Sequence, residues 1–165
     1  MKKFHIFLLI SAGVIFLDLL TKEIAVKVLS DKDISVIPGF FDLTLVWNRG
    51  AAFGILAQAP EVVRKLILIF ASALAVVIAF IYAYKKQDKL HPIQLYSLAL
   101  ISGGAIGNLY DRIFIGAVRD FIDVHIKQYH WPAFNIADTS ITLGIILFVS
   151  YELFFKSRWA KREEP

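Results

Sequence analysis

The chain has no cysteine. That absence removes thiol nucleophiles, cysteine-ligated zinc and iron–sulfur sites, disulfides and any cysteine-borne lipid anchor. Charge is scarce too: Asp, Glu, Lys and Arg make up 19% of 165 residues, against about 25% in soluble domains. The scarcity is uneven, because residues 66–84 and 90–110 contain none of the four. What fills the space is apolar, at 58%, above the roughly 45–50% of soluble domains. A chain this short has too little interior to hide such runs. Composition therefore excludes a soluble enzyme, a disordered chain and a disulfide-stapled secreted module.

Four apolar segments stand out, at about 4–20, 62–84, 90–113 and 136–155. Each is near the ~20 residues that a spanning helix needs. The expected fold is an all-α membrane protein, one domain over 1–165, with four transmembrane helices. Lys2, Lys3 and the apolar run after them imitate a signal peptide, but no A-x-A cleavage pattern follows, and Asp18 and Lys22 come next. The segment reads as a retained first span. Eighteen basic against fourteen acidic residues give +4, and in a membrane chain their placement matters more than their sum. Lys2, Lys3, Lys85, Lys86, Lys89, Lys156, Arg158, Lys161 and Arg162 crowd short segments at helix ends. The positive-inside rule puts those segments, and both termini, in the cytoplasm. Two longer loops, about 21–61 and 114–135, then face outward. No nucleic-acid partner is implied.

The first loop has strand character. Residues 41–45 alternate and Trp47 continues one face. Pro38-Gly39 is a turn signal, so residues 34–37 pair back as a hairpin. A small extracytoplasmic β-sheet with one apolar face suits the membrane surface, and Trp47, Trp131 and Trp159 suit its interfaces.

The chemistry sits at the outer helix ends: Asp18, Asn108, Asp111, Arg112, Asp120, Asp123, Asn135 and Asp138. Ionisable groups cost at least ~2.5–3.5 kcal/mol in a helix centre, so polar residues here point to function. Each also has a structural reading. Asp18 and Lys22 form an i, i+4 ion pair. Asp111 and Arg112 pair at a helix end. Asn135 and Asp138 cap a helix start. Asp123 reads as an ordinary loop carboxylate. Gly103-x-x-x-Gly107 reads as a helix contact. Ser11 and Ser102 lack a nearby base, His5 and His91 fall on the cytoplasmic side, and His125 and His130 read as surface residues without zinc-site spacing. No metal and no cofactor is implied. Carboxylates remain as the catalytic candidates: two aspartates sharing a proton activate water and protonate a carbonyl. Spacing alone leaves open which two.

Five blocks in order carry a resemblance over nearly the whole chain: Asp18-x-x-Thr21-Lys22, Asn48-Arg49-Gly50-Ala51-Ala52-Phe53-Gly54, residues 103–112 ending in Asn108-Leu109-Tyr110-Asp111-Arg112, Val118-Arg119-Asp120-Phe121, and Phe134-Asn135-Ile136-Ala137-Asp138. The chain resembles the bacterial lipoprotein signal peptidases of the signal peptidase II type. The resemblance implies a four-helix inner-membrane aspartic endopeptidase. Its substrate is a diacylglyceryl-modified prolipoprotein, cut just before the lipidated cysteine. It implies a dyad of Asp120 and Asp138. Asn48, Gly50, Asn108, Arg112 and Asn135 lie around the substrate, and Asp18, Lys22 and Asp111 are supporting residues. Cyclic peptides such as globomycin are implied inhibitors, membrane lipids are implied partners, and the enzyme is expected to act as a monomer. Asp138, at a helix start, is the better candidate base because the helix dipole favours negative charge there, and the coupling of the pair leaves open which aspartate holds the shared proton. Gly50 and Gly54 flank a tip at residues 51–53 that is expected to move.

A small four-span transporter or channel is the rival reading. It needs charge at mid-depth, whereas residues 68–78 and 95–101 carry none. A non-catalytic assembly subunit would need no pair of aspartates at one depth.

Overall fold

The structure, a computed structural model, describes residues 3–50 and 60–155. The expected loop tip at 51–54, Lys2, Trp159 and the basic residues Lys156, Arg158, Lys161 and Arg162 lie outside the described residues.

Four helices form a bundle: α1 Lys3–Leu29, α2 Glu61–Lys86, α3 Pro92–Tyr110 and α4 Ile136–Ser150. A π-helical turn extends α3 over Asp111–Ile115, and another extends α4 over Tyr151–Phe155. Among the described residues, three helices are long and apolar enough to cross a membrane: α1, α2 and Ile136–Phe155. The 19-residue α3 is diluted by Gln94, Ser97, Ser102 and Asn108, all buried. It packs against α1, α2 and α4, so protein rather than lipid surrounds it and small or polar residues replace bulky apolar ones. Composition thus supports three crossings, and α3 is the enclosed fourth helix.

The glycines of α3 set how closely its neighbours approach. A Cβ at Gly103 would lie 2.7 Å from Val14 Cβ, and one at Gly104 would lie 2.4 Å from the Ala137 carbonyl oxygen. One at Gly107 would lie 2.3 Å from Asp18 Oδ2. The small-residue contact read from Gly103 and Gly107 is therefore real, and it brings α1, α3 and α4 together where their polar residues lie.

The helix α1 ends at Leu29 rather than near residue 20 as expected. Charge after Leu20 does not stop it. Thr21 Oγ1 donates to the Leu17 and Asp18 carbonyls, and Lys22 is neutralised on its own helix by Asp18. At 1.5 Å per residue such a helix is about 40 Å long, more than a ~30 Å hydrocarbon core requires. Its surplus turns carry Ala25 and Leu29, which pack with Phe121 and with Ile34, Leu43, Leu45, Ile122 and Ile136. The long helix is the platform for a sheet.

That sheet has the order β1-β2-β3-β4, with every pair antiparallel: β1 Ile34–Ile37, β2 Phe41–Asn48, β3 Val118–Ile126 and β4 Tyr129–His130. The expected β1–β2 hairpin is present, and Gly39 turns it with φ 79°. The region expected as a loop at 114–135 instead holds the nine-residue β3. Its apolar alternation is broken by Arg119 and Asp120, which are buried for reasons of the site. Gly116, with φ 86°, makes the left-handed turn from the π-helical segment into β3.

Candidate active site

The strand register brings the first carboxylate into place. Val46 pairs with Asp120 and Asn48 pairs with Val118. Side chains two apart along a strand share a face, so Asn48 is the diagonal neighbour of Asp120. Its Nδ2 donates to Asp120 Oδ2 at 3.0 Å. The Asn48 Oδ1 accepts from the Gly50 N–H at 2.9 Å, and this fixes which end of the amide faces the carboxylate.

The second carboxylate comes from the start of α4. Asn135 is the N-cap and accepts from the Asp138 N–H at 3.0 Å, while the Asn135 N–H donates back to Asp138 Oδ2 at 3.3 Å. This reciprocal capping box confirms the capping reading of the pair. It does not exhaust it, because Asn135 Nδ2 also donates to Asp120 Oδ1 at 2.7 Å. One side chain therefore holds both aspartates. Asn108 Nδ2 completes the arrangement, donating to Asp138 Oδ1 at 2.8 Å.

The orientation of Asn108 is in turn imposed from behind. Its Oδ1 accepts from Lys22 Nζ at 2.9 Å and from Asn135 Nδ2 at 3.2 Å. Lys22 and Asp18 are fully buried and paired at 2.7 Å, so the expected i, i+4 ion pair is present and lies in the interior. Asp18 Oδ1 accepts the Ala137 N–H at 2.9 Å, satisfying an orphan donor of the first turn of α4. Asp111 lies 3.5 Å from Lys22 and takes the Arg119 guanidinium through both oxygens, Oδ1 at 2.8 Å and Oδ2 at 3.2 Å. Arg119 also pairs with Glu23.

Three expectations are corrected here. Asp111 does not pair with Arg112. Its partners are Lys22 and Arg119, and Arg112 is left to face a cavity. Asp123 is not a loop residue: it stands on β3 and accepts from, or is bridged to, His130 Nδ1 at 2.8 Å. His125 is not a surface residue either. It is buried, stacks on His130 with ring centroids 4.5 Å apart, and lies 3.0 Å from Asp42 through Nε2.

Asp120 and Asp138 line one cavity of about 470 Å³. Asn48, Arg112 and Thr139 supply further polar groups, and Trp131, Pro132, Phe134, Ile141 and Leu143 supply apolar wall. Thr142 lines it too, and Thr139, Ile141 and Thr142 went unrecognised in the sequence. The helical spacing from Asp138 to Ile141 and Thr142 was the available signal. Arg119, which sits inside a recognised block, was also passed over as the partner of Asp111.

Burial pushes the Asp120 carboxyl up to about 7, and the neighbouring Asp138 charge adds to that. The Asn48 and Asn135 amides and the Lys22 charge act in the opposite direction. The amide donors are neutral, so they hold the carboxylates in place without an ion pair. Two carboxyl groups that sense each other thus line one half-apolar cavity, and one of them is raised toward neutrality.

The family model described as Signal peptidase (SPase) II matches residues 10–154. The lipoprotein signal peptidase of Sulfurihydrogenibium sp. (strain YO3AOP1) is 57% identical over 157 residues, 95% of this chain and 96% of that protein. The lipoprotein signal peptidase of Aquifex aeolicus (strain VF5) is 44% identical over 151 residues, 92% of this chain and 87% of that protein. Among solved structures, a bacterial membrane enzyme determined by the in meso method at 2.3 Å is 31% identical, with a TM-score of 0.78 over 98% of this chain and 93% of that one.

Proposed function

Because the chain belongs to the signal peptidase II family, we propose that Asp120 and Asp138 are the catalytic dyad with which it cleaves its substrate. The protein is a membrane aspartic peptidase that processes prolipoproteins. The observation that carries the dyad is the single Asn135 side chain hydrogen-bonded to Asp120 while capping the helix that begins with Asp138. In the proposed cycle Asp120 holds the shared proton and Asp138 is the base. Asp138 takes a proton from a water that attacks the scissile carbonyl, and Asp120 gives its proton to the carbonyl oxygen. The tetrahedral diol then collapses: the C–N bond breaks as the proton on Asp138 passes to the departing amine, and one diol hydroxyl returns its proton to Asp120, leaving the carboxylic acid and the dyad in its starting state. No covalent acyl-enzyme forms.

The substrate is a diacylglyceryl prolipoprotein, cut before the lipidated cysteine. Arg112 and Asn48 offer donors to its backbone, and the Trp131, Phe134 and Leu143 wall accepts apolar segments. Cyclic peptide inhibitors such as globomycin occupy the same cavity. The enzyme lies in the cytoplasmic membrane as a single monomeric domain, with its termini in the cytoplasm, its dyad at the outer face and its sheet on the membrane surface. Support for that orientation is the gathering of chain ends away from the dyad. Lys3 Nζ donates to the Leu90 carbonyl at 2.9 Å, and Gln94 Nε2 donates to Glu152 at 2.6 Å. These contacts put the start of α1, the basic turn holding Lys85, Lys86 and Lys89, and the end of α4 at one end of the bundle. The exposed Val36, Ile37, Phe40 and Trp47 suit a sheet against lipid.

Two measurements test the arrangement. Asp120 is held up to about 7 in the folded protein, so the singly protonated dyad is lost as pH rises through that value. The rate of prolipoprotein cleavage in detergent falls over the same window. The sign for stability is the same: a carboxyl raised above its unfolded value stabilises the fold at low pH, and that contribution disappears as pH climbs through about 7. Asn48→Ala removes a donor to the ionised form and moves the alkaline limb upward. A limb that moves downward, or a flat profile, contradicts the assignment of the proton to Asp120. Second, Gly50→Pro removes the N–H that orients Asn48 and lowers the cleavage rate on the order of tenfold. Gly50→Ala keeps that N–H, with only Asn48 Oδ1 near its Cβ at 3.8 Å, and stays near wild type. Equal rates for the two variants remove the orienting role from Gly50.

A further inference from the structure

Beside the catalytic cavity lies a shallow polar cleft that the dyad does not use. Arg49, Lys65 and Arg112 line it with Asn48, Gly116, Leu68 and a single acid, Glu61. Among the described residues, Arg49, Lys65 and Arg112 have no ion-pair partner. The spacing of Glu61, Arg64, Lys65 and Leu68 puts them on one face of α2. Arg64 points to the same need, because its Nε is buried with no hydrogen-bond partner among the described residues. Arg112 shares its charge with Asp120 and Asp138 across the cavity wall, and Arg49, Arg64 and Lys65 against Glu61 still leave a surplus of two positive charges at the top of α2. Like charges held together at a low-dielectric boundary repel, and an anion relieves that repulsion.

We infer that this cleft binds the phosphate of an anionic phospholipid headgroup, next to the substrate cavity and sharing Arg112 with it. The cleft's own volume, about 20 Å³, holds one or two water-sized groups. A phosphate therefore inserts one oxygen and keeps the rest of the headgroup at the surface. The lipid source follows from what lies alongside. Val62, Leu66 and Phe70, each more than 60% exposed, run down α2 from the cleft, and α2 is long and apolar enough to cross a membrane. Acyl chains lie along that stripe while Lys65, Arg49 and Arg112 face the headgroup. The inference is read from binding, independently of whether Asp120 and Asp138 are the dyad.

The test uses the full chain purified in detergent and titrated separately with phosphatidylglycerol, phosphatidylcholine and inorganic phosphate, with bound species counted by native mass spectrometry. The expected result is one phosphatidylglycerol bound in preference to phosphatidylcholine. That preference falls on the order of fivefold for each charge removed in Arg49→Gln/Lys65→Gln. Arg49→Lys/Lys65→Arg retains it, and so does Lys85→Gln/Lys86→Gln at the opposite end of the bundle. A wild type without the preference, or a double glutamine variant that keeps it, overturns the site. Inorganic phosphate bound as tightly as phosphatidylglycerol overturns the lipid as its occupant.

Discussion

Asp120→Asn and Asp138→Asn each abolish prolipoprotein cleavage, by at least ~10⁴-fold, while the protein stays folded. The magnitude follows from how the pair works. Neither carboxyl activates water alone, because one must accept a proton while the other supplies one. Removing either member therefore costs nearly as much as removing both, and the double variant is scarcely slower than the single ones. Folding is preserved for a separate reason. Asp120 is buried and its ionised form is disfavoured there, so a neutral amide of the same shape removes a desolvation cost. Against that gain, the new NH₂ meets the Asn48 or Asn135 donor, at a cost of about 1–3 kcal/mol. The two effects oppose one another, and the thermal midpoint in detergent shifts little. Asp123→Asn is the control. It stands three residues from Asp120 on the same strand, hence on the opposite face, and its partner is His130. An active Asp120→Asn enzyme, with Asp123→Asn inactive, moves the dyad and removes this mechanism.

Much of this was legible in the sequence, for physical reasons that differ from residue to residue. The apolar runs of α1, α2 and α4 announce themselves because lipid demands bulk and tolerates no charge. The Phe41–Asn48 strand announces itself because one face is apolar and the other is not. The charge-free run at 90–110 announces α3 as well, although protein encloses it; β3, also enclosed, is harder to read. In α3, close approach to α1 and α4 selects Gly103, Gly104 and Gly107 over Leu and Ile, which lowers its hydropathy. In β3, Arg119 and Asp120 are buried next to Val118 and Phe121, so inside and outside no longer alternate by polarity. The partner of a buried charge was harder still. Adjacency suggests Arg112 for Asp111, yet the π-helical turn and Gly116 bring the chain back so that Arg119 takes both carboxylate oxygens. The blocks of polar residues were visible as blocks. That Asn108 and Asn135 connect the two aspartates to one another depends on three-dimensional closure that no spacing encodes.

Lys22→Met destabilises the fold by about 3–5 kcal/mol, the cost of leaving a buried charge without its partner. Lys22 is completely buried and lies within reach of Asp18, Asp111 and Asn108. Asp111 keeps the Arg119 fork after the substitution, so the penalty falls on Asp18, which retains only the Ala137 N–H. Adding Asp18→Asn therefore recovers most of the loss. The asparagine oxygen still accepts from Ala137, and no unpaired charge remains. Thermal unfolding of the single and double variants in detergent reads the coupling directly. Activity separates a second role. Without Nζ, Asn108 Oδ1 loses its nearer donor and keeps only Asn135 Nδ2 at 3.2 Å, so the amide that holds Asp138 turns more freely. The Asp18→Asn/Lys22→Met protein is then stable but slow, on the order of tenfold below wild type in kcat with KM little changed. A double variant that is both stable and fully active leaves Lys22 a purely structural cation. A Lys22→Met protein with an unshifted thermal midpoint shows that the Asp18 charge finds another partner, and that the buried ion pair does not hold α1 against α3 and α4.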